Sequence, residues 1–178
     1  MPLIKNGAFA ENIFMALADD QEPPLGAPVV VSLKRWQIEG EALIGRNVAL
    51  GVKLGADQSP GALGDDVHRL ALIVLEFPKF RDGRGYSWAR LLRQRLGFKG
   101  EIRAAGEVLR DQWLFKSRCG IDAFEVKPGT RIEDFRTALA EQTVFYQPAS
   151  DAVSNVLDLR RNLSGQSARR HAFADAAE

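Results

Sequence analysis

The run Leu70-Ala-Leu-Ile-Val-Leu-Glu-Phe77, closed by Pro78, constrains this chain more than any other segment. It is nearly continuously apolar and ends at a proline, so it reads as a strand covered on both faces. Such strands belong to parallel sheets flanked by helices. The segments around it fit that reading. Val29 to Leu33 and Val48 to Leu54 are strand candidates upstream, and Glu101 to Ala105 and Ala123 to Val126 are strand candidates downstream. Between them, Arg35 to Ile44, a helix opening near Ser87, Glu107 to Cys119 and Arg131 to Gln142 carry apolar residues at helical spacing. Alternation of this kind, with short connections, predicts right-handed crossovers in an α/β fold with a mostly parallel sheet. It is compatible with an open doubly wound sheet or a partial β/α barrel.

Residues 29–147 read as a single α/β domain, because 178 residues with 46% apolar content support one core. Residues 1–28 read as a peripheral N-terminal arm with a possible hairpin at Asn6-Gly7. Thr143 to Tyr146 is a candidate last strand, and residues 148–178 read as a C-terminal tail in which the apolar pattern fades. No apolar run reaches the roughly 20 residues that cross a bilayer, and the start lacks a secretory signal, so no membrane contact and a cytoplasmic location are expected. The lone Cys119 excludes an internal disulfide and supplies too few thiolates for an iron-sulfur cluster. With no histidine, cysteine or carboxylate group at ligand spacing, no metal site is expected.

Charge is distributed unevenly. From Glu76 to Gly120 there are eleven lysines and arginines against five acidic residues, a net +6 in a chain whose formal net charge is +1. The candidate working segment lies at the start of that stretch, Phe77-Pro-Lys-Phe-Arg-Asp-Gly-Arg-Gly-Tyr-Ser87. A strand, a glycine turn and a helix start form an arrangement that holds anions, since unpaired amides at a helix N-terminus point toward the space before it. Lys79, Arg81 and Arg84 supply cationic donors, Asp82 and Gly83 a turn, Gly83 and Gly85 close backbone approach and positive φ angles, Tyr86 a phenol and Ser87 a cap. Parallel folds place ligands beyond the carboxyl ends of strands, where this loop falls. An ordinary surface turn accounts for the same residues equally well. Arg103 could converge on the loop, with Asp111, Gln112 and Arg118 behind it, although hydrogen bonding within the helix is the stronger reading for Asp111 and Gln112. Gly83-Arg-Gly85 is no dinucleotide fingerprint, because Trp88 stands where a third glycine is needed, and nothing identifies a cofactor.

The chain resembles the bacterial domain of unknown function 934 family, described as oxidoreductases involved in sulfite reduction. The resemblance runs from about Val29 to Tyr146. It rests on the 77–87 block together with Ala89-Arg-Leu-Leu-Arg93, Gly100-Glu-Ile-Arg-Ala104, Asp111-Gln112 and Arg118-Cys-Gly120. Glu107 and Ile121 depart from the family preference. The resemblance implies an accessory protein of assimilatory sulfite reduction, an oxidoreductase or redox helper binding a small oxyanion such as sulfite at the loop. The alternative is a non-catalytic partner docking on a sulfite-reduction enzyme through the same arginines. A six-electron reductase is excluded by the missing cluster ligands, and a nucleic-acid partner is disfavoured by the near-neutral whole.

Overall fold

A computed structural model of the chain describes residues 1–151 and 153–162. Eight strands form one sheet in the order β2-β1-β8-β7-β6-β5-β4-β3. They are β1 (Leu3–Lys5), β2 (Ala8–Ala10), β3 (Met15–Ala16), β4 (Val29–Ser32), β5 (Leu50–Leu54), β6 (Leu72–Phe77), β7 (Glu101–Gly106) and β8 (Ala123–Glu125). From β3 to β8 every pair is parallel and neighbours follow chain order, whereas β1 lies antiparallel between β2 and β8. The mostly parallel α/β expectation holds. Consecutive order rules out the doubly wound alternative, because successive crossovers of one hand keep the helices on one face of the sheet. The sheet is a half-barrel.

Its curl follows from a short connection. Only residues 11–14 join β2 at one edge to β3 at the other. The steps from Ala10 to Met15 reach at most about 18 Å, while eight flat strands spaced ~4.8 Å apart would span roughly 34 Å. The edges must therefore approach each other. The connection crosses the concave side, where Phe14 packs on Val30, Leu72, Val74 and Ala105.

The helices cover the convex side. α1 (Leu33–Ile44) is capped by Ser32, whose hydroxyl accepts the Arg35 amide at 3.1 Å. A 3-10 segment (Pro60–Arg69), broken at Gly64, follows β5. α2 (Arg84–Arg90) runs into a π-helical turn (Leu91–Arg95), α3 (Trp113–Arg118) follows a short 3-10 turn, and α4 (Ile132–Ala140) follows β8. Between helices and sheet lies the main core, including Val29, Val31, Val52, Ile73, Leu75, Ile102 and Phe124.

The π turn rotates one arginine inward. Arg93 donates to the carbonyls of Gly120 (2.9 Å), Phe98 and Gly100 (both 2.8 Å) and pairs with Asp122 at 2.8 Å. Gly120 has φ of +101°, and a Cβ there would sit 2.4 Å from Arg93 Cγ, so both the backbone and the arginine require glycine.

Three expectations need correction. Residues 1–28 are no peripheral arm: β1 is an inner strand of the sheet, and Ile4 is fully buried. The Asn6-Gly7 hairpin turn is present, with both residues at positive φ. Thr143 to Tyr146 makes no strand; Phe145 forms an isolated bridge to Asn155 ahead of a helical segment at 156–162. The rest of the 148–178 tail lies outside the described residues. Ser87 is no cap either. The helix begins earlier, behind Gly83, and Ser87 lies exposed within it. Ser87→Ala is accordingly expected to change stability by less than about 0.5 kcal/mol, as at an ordinary surface position; a thermal melt lowered by the ~1 kcal/mol typical of a lost cap would contradict this assignment.

Candidate functional site

Strand alternation sends every second residue of the sheet into the concave interior, and the pairing stacks those residues in rows. One row is Val30, Gly51, Leu72 and Glu101; the next, toward the carboxyl ends, is Ser32, Lys53, Val74, Arg103 and Ala123. Glu76 stands one layer further on. Across β4 to β6 this face thus becomes charged toward the carboxyl ends of the strands, while β7 carries the charged pair Glu101 and Arg103. That is the end at which β/α barrels carry their binding groups.

At this mouth, Lys53 Nζ lies 2.8 Å from Glu76 Oε1, with both side chains about two-fifths exposed. The pair borders a groove of about 350 Å3 that is also lined by Ser32, Asp57 and Gln58. Ser32 donates to Asp19 at 2.6 Å, and Gln58 accepts the Gly55 amide at 2.8 Å, so these walls are held by their own loops. A half-exposed ion pair contributes only about 0–1 kcal/mol, which leaves Lys53 and Glu76 available to a ligand at small loss of stability. Lys53 also lines a smaller cavity of about 140 Å3 beneath Phe14 and Asn12.

Arg103 faces that inner cavity. It is buried, with its guanidinium 2.7 Å from Glu101 and 3.6 Å from Glu125, and it donates to Asn12 at 2.9 Å. Lys5 completes the network at 2.7 Å from Glu101. Arg103 does not converge with Arg81 and Arg84, because its position in β7 turns it to the concave face.

The 77–87 loop leaves the same end of β6. Its helix start already holds a negative charge of the chain itself: Asp82 accepts the Arg84 amide at 3.3 Å and pairs with the Arg84 guanidinium at 3.0 and 2.6 Å. Hydrogen bonding from Arg84 pulls the Asp82 carboxyl down to about 2. Arg84 is thereby committed, while Lys79 and Arg81 make no ion pair among the described residues. Gly83 and Gly85 do not serve positive φ; Gly85 makes room, since a Cβ there would lie 2.5 Å from the Phe77 ring.

Behind the loop is an unexpected buried cation. Lys116 is fully buried, its ammonium 3.9 Å from the centre of the Phe77 ring and 5.1 Å from that of Tyr86. It donates to Gln112, and Gln112 in turn donates to the Phe80 carbonyl at 3.2 Å. Burial lowers the Lys116 pKa to about 8, against the opposing charge of Asp111, and burial pushes the Tyr86 phenol up to about 12. Gln112 and Tyr86 therefore anchor the loop from beneath. Asp111 is exposed. Arg118 belongs elsewhere: it pairs with Asp151 at 2.9 Å and lies over the Phe145 ring, tying down the segment after α4. Burial pushes the Cys119 thiol up, against the pull of Arg90 and Arg118, which disfavours the thiolate.

The sequence reading missed Ser32, Lys53, Asp57, Gln58 and Glu76. The available signal was a single charge in the next-to-last position of two apolar strands, Leu-Gly-Val-Lys53-Leu and Leu-Ile-Val-Leu-Glu76-Phe. Among the described residues, no group of three histidine, cysteine or carboxylate side chains could hold a metal, and no helix is long and apolar enough to cross a membrane.

Fold and site together define an α/β half-barrel protein with a polar, ion-paired mouth at the carboxyl ends of its strands. A family model described as bacterial protein of unknown function (DUF934) matches residues 51–157, and the chain belongs to that family. No curated protein matches it.

Proposed function

We propose that the chain is an accessory protein of assimilatory sulfite reduction, an oxidoreductase or redox helper that takes a small oxyanion such as sulfite at the half-barrel mouth. The observation that carries this reading is the Lys53–Glu76 pair, exposed to a groove at the end of the sheet from which Lys79 and Arg81 also emerge. Lys53 supplies a cation that an oxyanion can engage by displacing Glu76 from its ion pair. Sulfite reduction is the role implied by the family resemblance.

Calorimetric titration with sulfite, sulfate and phosphate tests it. The expected result is saturable binding of sulfite that weakens with salt and falls about tenfold or more in Lys53→Met, a loss of about 1.4 kcal/mol. The Arg81→Ala/Arg84→Ala variant is expected to lose less, because Arg84 already serves Asp82. Weak, non-saturating signals in all three proteins would overturn the reading.

A second reading, docking on a sulfite-reduction enzyme, is favoured by Phe80. The residue is 51% exposed between Lys79 and Arg81, although its carbonyl is held by Gln112. Exposed aromatic residues beside cations resemble the anchors of protein interfaces.

A further inference from the structure

We infer that the outer face of α2 and its π turn is a docking surface for an acidic protein; this rests on the docking reading and adds the face and the partner's chemistry. Residues 79–99 contain seven lysines and arginines and one acidic residue. The fold uses two of those cations internally, Arg84 on Asp82 and Arg93 on Asp122 and three carbonyls. Lys79, Arg81, Arg90, Arg95 and Lys99 are exposed and make no ion pair among the described residues. The π turn separates these roles: it turns Arg93 inward while Arg90, Gln94 and Arg95 stay outside.

These residues border a groove of about 410 Å3 lined by Ser87, Trp88, Arg90, Leu91, Gln94 and Arg95. It therefore combines two free guanidinium forks with partly exposed apolar surface from Trp88 and Leu91, and Phe80 lies ahead of the same helix. Arginine forks match carboxylates with two hydrogen bonds, and apolar anchors between them are the composition of a protein interface. Nucleic acid fits less well. The Trp88 indole is half-buried and tied to the Ala56 carbonyl at 3.0 Å, so it offers no free stacking platform for a base.

The test is fluorescence anisotropy with a short synthetic peptide in which glutamates alternate with leucine and phenylalanine. A single-stranded oligonucleotide of equal charge serves for comparison. The variants are Arg90→Glu/Arg95→Glu, Phe80→Ala/Arg81→Ala and, as a charge-matched control on other helices, Lys34→Glu/Arg136→Glu, each checked by thermal melting. The inference expects saturable peptide binding that falls as salt rises, weakens about tenfold or more in Arg90→Glu/Arg95→Glu and changes less than about twofold in the control. Equal losses in the control, tighter binding of the oligonucleotide or no peptide binding by wild type would each overturn it. Loss in Phe80→Ala/Arg81→Ala alone would overturn this face while leaving the docking reading in place at the loop tip, and sulfite binding is judged separately by calorimetry.

Discussion

Arg93→Ala is expected to destabilise the protein by about 3–5 kcal/mol, the range for removing one partner of a largely buried ion pair. Its side chain is 18% exposed and closes four interactions at once, joining the π turn to the end of the loop before β7 and to the turn between α3 and β8. Deletion leaves the carbonyls of Phe98, Gly100 and Gly120 without their donor and strands a carboxylate whose other oxygen accepts the Ile102 amide at 2.9 Å. Burial already raises the Asp122 pKa, partly offset by Arg93, so the variant should raise it further. Denaturant unfolding measures the loss; a change below about 1 kcal/mol would mean that the network contributes no more than a surface pair.

The second large effect is a stability that rises with pH. Lys116 has a folded pKa of about 8 against an ordinary 10.5, so between those values the unfolded chain holds a proton that the folded chain has released. Stability must then increase with pH across that window, by about 3 kcal/mol at its upper end, and show no slope from this lysine below pH ~8. Tyr86 and Cys119, whose pKa values are raised by burial, contribute the opposite slope as they ionise. The clean quantity is therefore the difference between wild type and Lys116→Met. Methionine keeps the apolar volume among Phe77 and Tyr86 without the charge, so the variant is expected to be more stable at pH 7 and to lose the advantage toward pH 10. Parallel curves for the two proteins would place the Lys116 pKa at its ordinary value.

The apolar run at 70–77 carried most of the fold that could be read from sequence, because burial on both faces leaves an unbroken apolar signature. Strand order and curl left no such signature. They depend on which edges the 11–14 connection brings together, a long-range property to which local periodicity is blind. The candidate site was legible in part for a related reason. Glycines and arginines marked the 77–87 loop, but their partners did not show: Asp82 takes Arg84, and Gly85 accommodates the Phe77 ring. Arg103 was assigned to the loop because its strand could be recognised while the direction of its side chain could not. Lys53 and Glu76 are 23 residues apart and meet only because β5 and β6 pair in register.

The central claim is that the working end of the molecule is the mouth where Lys53, Glu76 and the 77–87 loop open together. Amide chemical-shift mapping during a sulfite titration tests it most directly. The account predicts saturable shifts confined to residues 53–58 and 76–84, absent in Lys53→Met. Shifts that fall instead on the outer face of α2, or no saturable shifts at any amide, would contradict it.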